Sequence, residues 1–281
     1  MIKKIFESLK NREISGRWFL GGSHVALVVI CLIFYNLQRS VPQMIFGFTI
    51  GFITEFIFYK FTKKYSTNKV LDRLFSAATE TAGLLVLLKS HFWWFYGFLS
   101  FITVAAKYLL RKDENNHIFN PTNFSITMGL LFLPINMFGA WPDEYMSVLY
   151  PMFHVTVFGI LAVYLGKTYI VSITYILSVI FWCMIFFPFH NFSNVVYALG
   201  PEFGAVGLIY LWLMITDPKT APQSKSMQAM YAFVIAFVHI LLRYNEFLFS
   251  RYIALFIVTL IFYGFYLLRI KHPVTTAELK L

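Results

Sequence analysis

The chain has 281 residues, of which 59% are hydrophobic, 20% are aromatic and only 13% are charged. Soluble domains carry about 25% charged residues to cover a water-facing surface, so this composition excludes a soluble domain. We therefore expect an integral membrane protein whose main interaction partner is the lipid bilayer. The formal net charge of +10 must be explained within that class.

Apolar stretches near the length of a membrane helix follow one another along the chain. They predict an all-α polytopic membrane protein, a single domain with ten transmembrane helices. A basic arm at 1–17 precedes a first half at about 18–140, a second half at about 147–268 and a tail at 269–281. No small-residue cleavage site follows the first apolar stretch, so we expect no cleavable signal peptide. The ten spans are predicted at 18–35, 43–59, 75–89, 92–110, 122–140, 147–166, 169–187, 200–216, 227–242 and 251–268.

The lysines and arginines lie mostly on one side of these spans. The exceptions on the other side are Arg39, Lys89, Arg243 and Arg251. By the positive-inside rule the basic side is cytoplasmic, which predicts a multi-pass protein of a bacterial inner membrane with both termini in the cytoplasm. The distribution of positive charge thus indicates how the protein is oriented in the membrane. We expect no nucleic-acid partner.

Ten spans divide into five and five, and an odd number of spans reverses the orientation of the second half. We therefore predict two inverted five-helix halves around a central polar site. The third and eighth spans would be equivalent, and both are predicted to be broken helices. The eighth is entered through Gly200-Pro201-Glu202 and ends at Asp217-Pro218. The third span begins with four polar residues, Ser76, Thr79, Glu80 and Thr81.

Glu80 is the strongest single candidate for a residue of a functional site. An unpaired carboxylate inside a membrane costs about 3 kcal/mol or more, so an intramembrane acid suggests a function. With Ser76, Thr79 and Thr81 it would line a polar cavity for an isoalloxazine ring, a quinone head or a cation. The alternative is a glutamate that is protonated, or paired with a lysine, near the inner interface. Glu55 lies near the end of the second span, and we expect it to approach the lipid headgroups.

Two short polar segments that contain proline interrupt the apolar sequence. In the first, Asn120 is predicted to cap the fifth span and Pro121 to occupy its first turn. In the second, Pro218 is predicted to end the eighth span, with Asp217 bonding backbone donors in the following turn. These roles, as a helix start and a helix stop, are sufficient explanations of both segments.

If the two segments meet, they form a second polar surface at the cytoplasmic side. Their amide and carboxylate groups would then contact a polar ring edge or a cation, and helix N-termini would offer N–H groups to an anion. The residues with this predicted role are Asn120, Asn123, Asp217 and Thr220.

The same two segments carry a resemblance to a known family. Ala106-Lys107 and, after a short gap, Asn116-His117-Ile118-Phe119-Asn120-Pro121 resemble a segment written AK…NIFNPA. The segment from Leu213 to Pro222 is similar to FMATDPVTAP, and Ser76-Ala77 with Thr81 and Gly83-Leu84-Leu85 is similar to SALxTGLLLAL. These segments are typical of the RnfD/NqrB family, membrane subunits of the Rnf electron-transport complex and of the sodium-translocating NADH:quinone reductase. The matching segments occur in the same order as in the family and extend from the first predicted span to the ninth.

The resemblance implies a membrane-embedded electron-transfer subunit that binds a flavin or a quinone and is coupled to ion translocation. It also implies other redox subunits or soluble electron-transfer proteins as partners. The chain lacks a nicotinamide-binding motif, so any NADH oxidation would occur on another subunit.

Family members with covalent FMN attach it to the threonine of a Ser-Gly-Ala-Thr segment, which this chain lacks. The loop at 139–144, where that segment would lie, contains no threonine and is acidic, so it would repel a phosphate. Lys219 also replaces the family's valine after the Asp-Pro pair. These departures make the chain similar to a stand-alone branch, whose relatives include membrane proteins of enediyne biosynthesis clusters. We therefore expect no covalent FMN, and instead a non-covalent riboflavin, FMN or quinone.

Two other classes of function remain open. A redox-silent transporter or channel for a small solute would use the same inverted halves. An accessory membrane protein of a biosynthetic pathway would carry a lipid-soluble intermediate. The sequence offers no catalytic residue and no metal-ligand motif. We expect His154 and His239 to be satisfied core residues rather than haem ligands.

Overall fold

The computed structural model describes residues 16–34, 40–61, 70–113, 116–140, 149–187, 190 and 192–271. Most of the predicted basic arm, the acidic part of the loop at 139–144 and the end of the tail lie outside the described residues. The predictions that concern those segments therefore stay predictions.

The described part of the chain forms eleven α-helices, which confirms the predicted all-α class. The described residues also form a short antiparallel pair of strands, β1 (Leu88–Lys89) and β2 (Gly139–Ala140). The helices of the predicted first half are α1 (Gly16–Phe34), α2 (Val41–Phe61), α3 (Val70–Leu87), α4 (Phe95–Leu109) and α5 (Pro121–Phe132). Those of the predicted second half are α6 (Leu149–Gly166), α7 (Tyr169–Phe186), α8 (Phe192–Phe203), α9 (Ala205–Ile209), α10 (Lys225–Tyr244) and α11 (Ser250–Lys271).

Each of the ten predicted apolar segments has a helical counterpart, but the helices differ in length. Among the described residues, α2, α7, α10 and most of α11 are long and apolar enough to cross a membrane. The bent pair formed by α8 and the segment after it adds a fifth candidate span, whereas α4 and parts of α1 and α6 are shorter apolar helices. By length and composition, four or five helices thus qualify as spans, fewer than the ten predicted.

The fifth predicted span shows why the helices are shorter than the apolar stretches. The stretch 122–140 is apolar, but α5 ends at Phe132 and gives way to a 3₁₀ turn at Ile135–Met137. Pro134 explains this end, because proline disfavours the helical conformation of the residue before it. Leu133 accordingly has extended dihedral angles, with φ −107° and ψ 148°.

The eighth predicted span, 200–216, belongs to a longer helical element that is broken at Gly204. Helix α8 begins at Phe192 and contains Pro201, and the chain is extended at Gly204 before α9 begins. From α9 the chain continues into a π-helical segment, Tyr210–Met214, and the two parts of the span meet at an angle of 46°. Proline removes one helical hydrogen bond and crowds the preceding turn, which accounts for the bend.

Several of the helix-to-helix contacts within the first half recur within the second half. In the first half α1 packs on α3, α2 on α4, and α4 on α5. In the second half α6 packs on α9 and the π-helical segment, α7 on α10, and α10 on α11. If α8, α9 and the π-helical segment count as one element, the two halves share three pairings: first with third, second with fourth, and fourth with fifth. In the first half the third helix also packs on the fourth and the fifth. The contacts between the halves join first to first, α1 with α6, and fifth to fifth, α5 with α11.

Small residues allow close packing of α2 and α3. A Cβ atom on Gly51 would lie 2.8 Å from Thr81 Oγ1, so only glycine fits there without displacement. The Thr81 hydroxyl in turn donates to Ser100 Oγ on α4 at 3.2 Å, and Thr81 and Ser100 are both fully buried. Small residues and interhelical hydroxyl bonds are typical of helix contacts in membranes.

Candidate functional site

Two glutamates and a lysine from three helices meet in the interior of the first half. Lys107 Nζ on α4 lies 2.6 Å from Glu55 Oε2 on α2 and 3.4 Å from Glu80 Oε2 on α3. Ser76 completes this glutamate–lysine cluster, since its hydroxyl donates to Glu80 Oε1 at 3.2 Å and accepts from Lys107 Nζ at 3.3 Å. The cluster confirms the predicted alternative in which Glu80 is paired with a lysine.

Glu55 lies inside the protein, since only 2% of its side chain is exposed. Its expected approach to the lipid headgroups stays a prediction. The Tyr108 hydroxyl donates to its other carboxylate oxygen, and Arg73 Nη1 donates to that hydroxyl at 2.8 Å. The carboxylate is thus held on one side by an ammonium and on the other by a phenol, which satisfies a buried charge as its burial requires.

The two proline-containing turns meet. Asn120 caps α5 by accepting from Asn123 N at 3.1 Å, and Pro121 occupies the first turn, as predicted. Asn120 Nδ2 also donates to Asp217 Oδ2 at 3.4 Å, which joins segments 97 positions apart in the sequence. Asp217 Oδ1 accepts from the backbone N–H of Lys219 at 3.0 Å, which confirms its predicted role in the turn. We call this contact between Asn120 and Asp217 the turn junction.

His117 and Lys219 join the two proline-containing segments beside the turn junction. An antiparallel bridge between Arg111 and His117 fixes the chain just before the first turn. Lys219 Nζ, which follows the second turn, lies 3.5 Å from His117 Nε2. The two segments therefore meet at a second point besides the contact between Asn120 and Asp217.

A cavity of about 740 Å³ lies between α10, α11 and the two turns, and we call it the turn cavity. Its helical walls are mainly aromatic and include Tyr231 and Phe262. Its polar lining comes largely from the turns and includes His117 and Thr220. Pockets that hold small ligands have volumes of about 300–1,000 Å³ and a mostly apolar lining with a few polar groups. The turn cavity has both properties.

Three of the residues predicted to line a site make hydrogen bonds within or between helices. Thr79 Oγ1 donates to the carbonyl of Phe75 in its own helix at 2.7 Å. Thr81 bonds across to α4, and Asn123 Nδ2 donates to the carbonyl of Tyr252 on α11 at 3.1 Å. Of the predicted residues, Ser76 and Glu80 belong to the glutamate–lysine cluster, Asn120 and Asp217 to the turn junction, and Thr220 to the turn cavity.

A second buried cluster, in the second half, was missed by the sequence reasoning. Glu202 Oε1 on α8 lies 3.3 Å from Arg243 Nη1, 3.7 Å from Arg251 Nη2 and 3.6 Å from His239 Nε2. The Tyr175 hydroxyl lies 2.9 Å from the other ring nitrogen of His239. The rule that singled out Glu80, an acid inside an apolar segment, would also have found Glu202 in this glutamate–arginine cluster.

Part of this second cluster compensates for the break in α8. Pro201 has no N–H, so the carbonyl of Tyr197, four residues earlier, loses its helical donor. Arg243 donates to that carbonyl and, at 2.6 Å, to the carbonyl of Ala198. Arg251 Nη2 donates to the carbonyl of Pro201 at 3.2 Å. The two guanidinium groups therefore satisfy backbone acceptors that the broken helix leaves without partners.

His154 and His239 do not share a site. His154 Nε2 lies 3.1 Å from the carbonyl of Ser23, whereas His239 contacts Tyr175 and Glu202. Within the described residues, no three His, Cys, Asp or Glu side chains are grouped to hold a metal ion.

Comparison with protein-family models gives no match for this chain, and no curated protein matches it significantly. The resemblance to the Rnf and NADH:quinone reductase subunits therefore rests on the sequence motifs alone. The functional interpretation depends on those motifs and on the geometry of the clusters, the turn junction and the turn cavity.

Proposed function

We propose that this protein is a membrane-embedded electron-transfer subunit that binds a flavin or a quinone non-covalently. The observation that carries the proposal is that the turn cavity is lined by both proline-containing turns and by the aromatic faces of α10 and α11. The resemblance to membrane electron-transport subunits rests on the same two turns. The motif and the cavity therefore point to one part of the molecule.

The chemistry of the turn cavity supports a planar, carbonyl-bearing ligand. Tyr263 and Phe265 line the cavity with aromatic rings against which an isoalloxazine or quinone ring would pack. Such rings carry carbonyl oxygens, which need hydrogen-bond donors when they leave water. His117, Thr220 and Gln223 line the cavity and have donor groups.

The repeated helix pairing supports ten spans arranged as two inverted five-helix halves. Each half joins its first helix to its third, its second to its fourth and its fourth to its fifth, and like helices of the two halves contact each other. Two inverted halves that pack alike are the expected result of an odd number of spans in each. In this arrangement the two turns lie at the cytoplasmic side, where a soluble redox protein or another redox subunit would reach them.

Coupling to ion movement would involve the glutamate–lysine cluster. Lys219 Nζ lies 3.5 Å from His117 Nε2, and His117 lines the turn cavity. In the proposed coupling, a change in the charge of a ligand in the cavity acts through space on the buried carboxylates, because buried charges are weakly screened. This connection is how reduction of the ligand would alter the affinity of the carboxylates for a cation.

A redox-silent transporter is the second candidate, and one observation favours it. Glu80 and Glu202 each follow the first residue of their helix by ten positions, α3 in one half and α8 in the other. Each glutamate also contacts a basic residue on the fourth helix of its half, Lys107 or Arg243. Buried charges at matching positions of inverted halves are typical of transporters.

The test of the proposed function is the absorption spectrum of the detergent-purified protein before and after acid precipitation. We expect flavin absorbance near ~450 nm that moves to the supernatant, or a quinone in the organic extract, as a non-covalent ligand requires. Colour that stays in the pellet would show covalent attachment. A colourless protein that binds neither added flavin nor added quinone would refute the electron-transfer proposal and leave the transporter as the candidate.

Two matched variants locate the ligand. Met227→Trp adds a large side chain at the wall of the turn cavity, and we expect it to remove the bound ligand. Met184→Trp makes the same change on α7 at a side chain that is 63% exposed, and we expect it to keep the ligand. Equal retention by both variants would show that the ligand binds elsewhere.

A further inference from the structure

Helix α8 makes few buried contacts with the rest of the protein. Of its twelve residues, only Ala198 and Glu202 are buried, whereas large apolar side chains such as Phe192 and Tyr197 are exposed. The helix packs mainly on α9, which is its own continuation, and on α7. Lipid tails compete for apolar surface in a membrane, so helix contacts there depend on close packing and on hydrogen bonds. The attachment of α8 therefore depends strongly on its polar contacts.

Arg243, in the last turn of α10, makes polar contacts with both buried residues of α8. Its guanidinium donates to the carbonyls of Tyr197 and Ala198, the latter at 2.6 Å, and lies 3.3 Å from Glu202 Oε1. The same group lies 5.2 Å from the centroid of the Phe187 ring at the end of α7. Hydrogen bonds from a charged donor are about twice as strong as neutral ones. Arg243 therefore ties the middle of α8 to the end of α10.

The C-terminal end of α8 has the features of a hinge. Pro201 interrupts the helical hydrogen bonding there, and Gly204 has extended dihedral angles, with φ −73° and ψ 171°. Hinges consist of a few residues at the ends of elements, often small ones, that absorb a change in dihedral angles. Rotation about Gly204 would move α8 and leave α9, whose five residues are all buried, in the core.

Buried polar side chains of α7 and α10 lie against the inner face of α8. The Cys183 thiol on α7 contacts the carbonyl of Ala198 at 3.6 Å, and that carbonyl also accepts from Arg243. His239 Nε2 on α10 lies 3.6 Å from Glu202 Oε1. Cys183 and His239 are both completely buried. Movement of α8 away from α10 would break these contacts and expose both side chains.

We propose that α8 is a hinged lid, held closed by Arg243, that opens about Gly204 and exposes Cys183 and His239. The lid lies at the last turn of α10, whereas the turn cavity lies at the first turns of the same helix. No residue of α8 lines the turn cavity. The lid therefore controls access to the interior of the second half from the opposite end of α10. This inference goes beyond the proposed function and holds for any ligand of the turn cavity.

The two native thiols test the lid in full-length protein in nanodiscs. Cys183 lies beneath the lid, and Cys31 is equally buried in α1 of the first half. The protein is incubated with a charged methanethiosulfonate reagent, and mass spectrometry measures the modification rate of each thiol. Arg243→Lys keeps the positive charge but loses the fork that bonds two carbonyls. We expect it to raise the rate at Cys183 at least about tenfold, because one hydrogen bond from a charged group contributes that much, and to leave the rate at Cys31 unchanged.

Arg111→Lys is the matched control. Arg111 Nε donates to the carbonyl of Lys107 at 3.0 Å, so the same substitution removes a bond of the same kind in the other half of the chain. It should leave Cys183 as slow to react as in the wild type. Hydrogen exchange of the wild type gives a second measurement that needs no variant. Since regions with few buried contacts open most readily, the N–H groups of α8 should exchange faster than those of α7 and α10.

Three results would overturn the lid. If Arg243→Lys left the modification rate of Cys183 unchanged, the guanidinium would not hold α8 closed. If Cys31 and Cys183 were accelerated equally, a general loss of stability would replace movement about a hinge. If α8 of the wild type exchanged as slowly as α10, α8 would be a fixed part of the core, and the inference would be refuted even if Arg243→Lys failed to fold.

Discussion

Replacing Lys107 with methionine tests how strongly the glutamate–lysine cluster stabilises the first half. Lys107 is 7% exposed and bridges two carboxylates, one at 2.6 Å and one at 3.4 Å. Methionine keeps the length of the side chain but removes the charge, so Glu55 and Glu80 would face each other without a cation. Removing one partner of a buried ion pair costs about 3–5 kcal/mol, and two stranded carboxylates make the upper part of that range the expectation.

This loss should lower the melting temperature by on the order of 10 °C. The chain supplies its own probe, because the thiols of Cys31 and Cys183 are both fully buried in the folded protein. A dye that fluoresces on reaction with thiols therefore reports unfolding of both halves. We expect Glu80→Gln to recover part of the loss in the Lys107→Met background, since it removes one of the stranded charges.

The matched control is Lys60→Met, which removes an exposed lysine from the end of α2. Exposed substitutions away from special contacts change stability by about 0.5 kcal/mol or less, so its melting curve should overlay the wild type. If Lys107→Met also melted within about 2 °C of the wild type, the cluster would not stabilise the fold as its geometry implies. If Glu80→Gln failed to recover stability, lost packing rather than stranded charge would be the cause.

Two further predictions use the same thiol assay. Glu202→Gln should cost about 3–5 kcal/mol, because it leaves two guanidinium groups without their carboxylate, whereas Glu246→Gln at an exposed turn should be neutral. If Glu202→Gln and Glu246→Gln had the same melting temperature, the glutamate–arginine cluster would not have a stabilising role. Gly51→Ala should cost about 1–3 kcal/mol by forcing apart α2 and α3 at Thr81. Gly22→Ala should not destabilise the protein, because nothing lies within 4 Å of a Cβ atom at that position. If Gly22→Ala lowered the melting temperature more than Gly51→Ala, close packing at Gly51 would be contradicted.

The helical class and the positions of the helices follow directly from the sequence. Apolar stretches reveal each helix because every backbone group in lipid must be bonded within its own element. The same stretches do not reveal where a helix stops, since apolar residues continue past the end of α5 and precede the break in α8. Those limits depend on Pro134 and Pro201, whose effect is local and steric rather than hydrophobic.

The candidate site could be predicted only where local chemistry dictates the contact. The cap at Asn120 and the turn at Asp217 involve neighbours in sequence, so residue type and proline spacing suffice to predict them. The contacts of Glu55 with Lys107 and of Glu202 with Arg243 join different helices, and their formation depends on which helices pack together. Nothing in a single sequence specifies that pairing.

The two buried clusters lie at matching positions of the two halves but have different net charges. With all carboxylates and basic groups ionised, two glutamates surround one lysine in the first half, so that cluster has a surplus of one negative charge. One glutamate meets two arginines in the second half, so that cluster has a surplus of one positive charge. Both glutamates nevertheless lie ten positions after the start of their helix, and each contacts a basic residue on the fourth helix of its half. The helix pairing therefore places the two clusters alike, and the side chains that surround each glutamate give the clusters opposite signs.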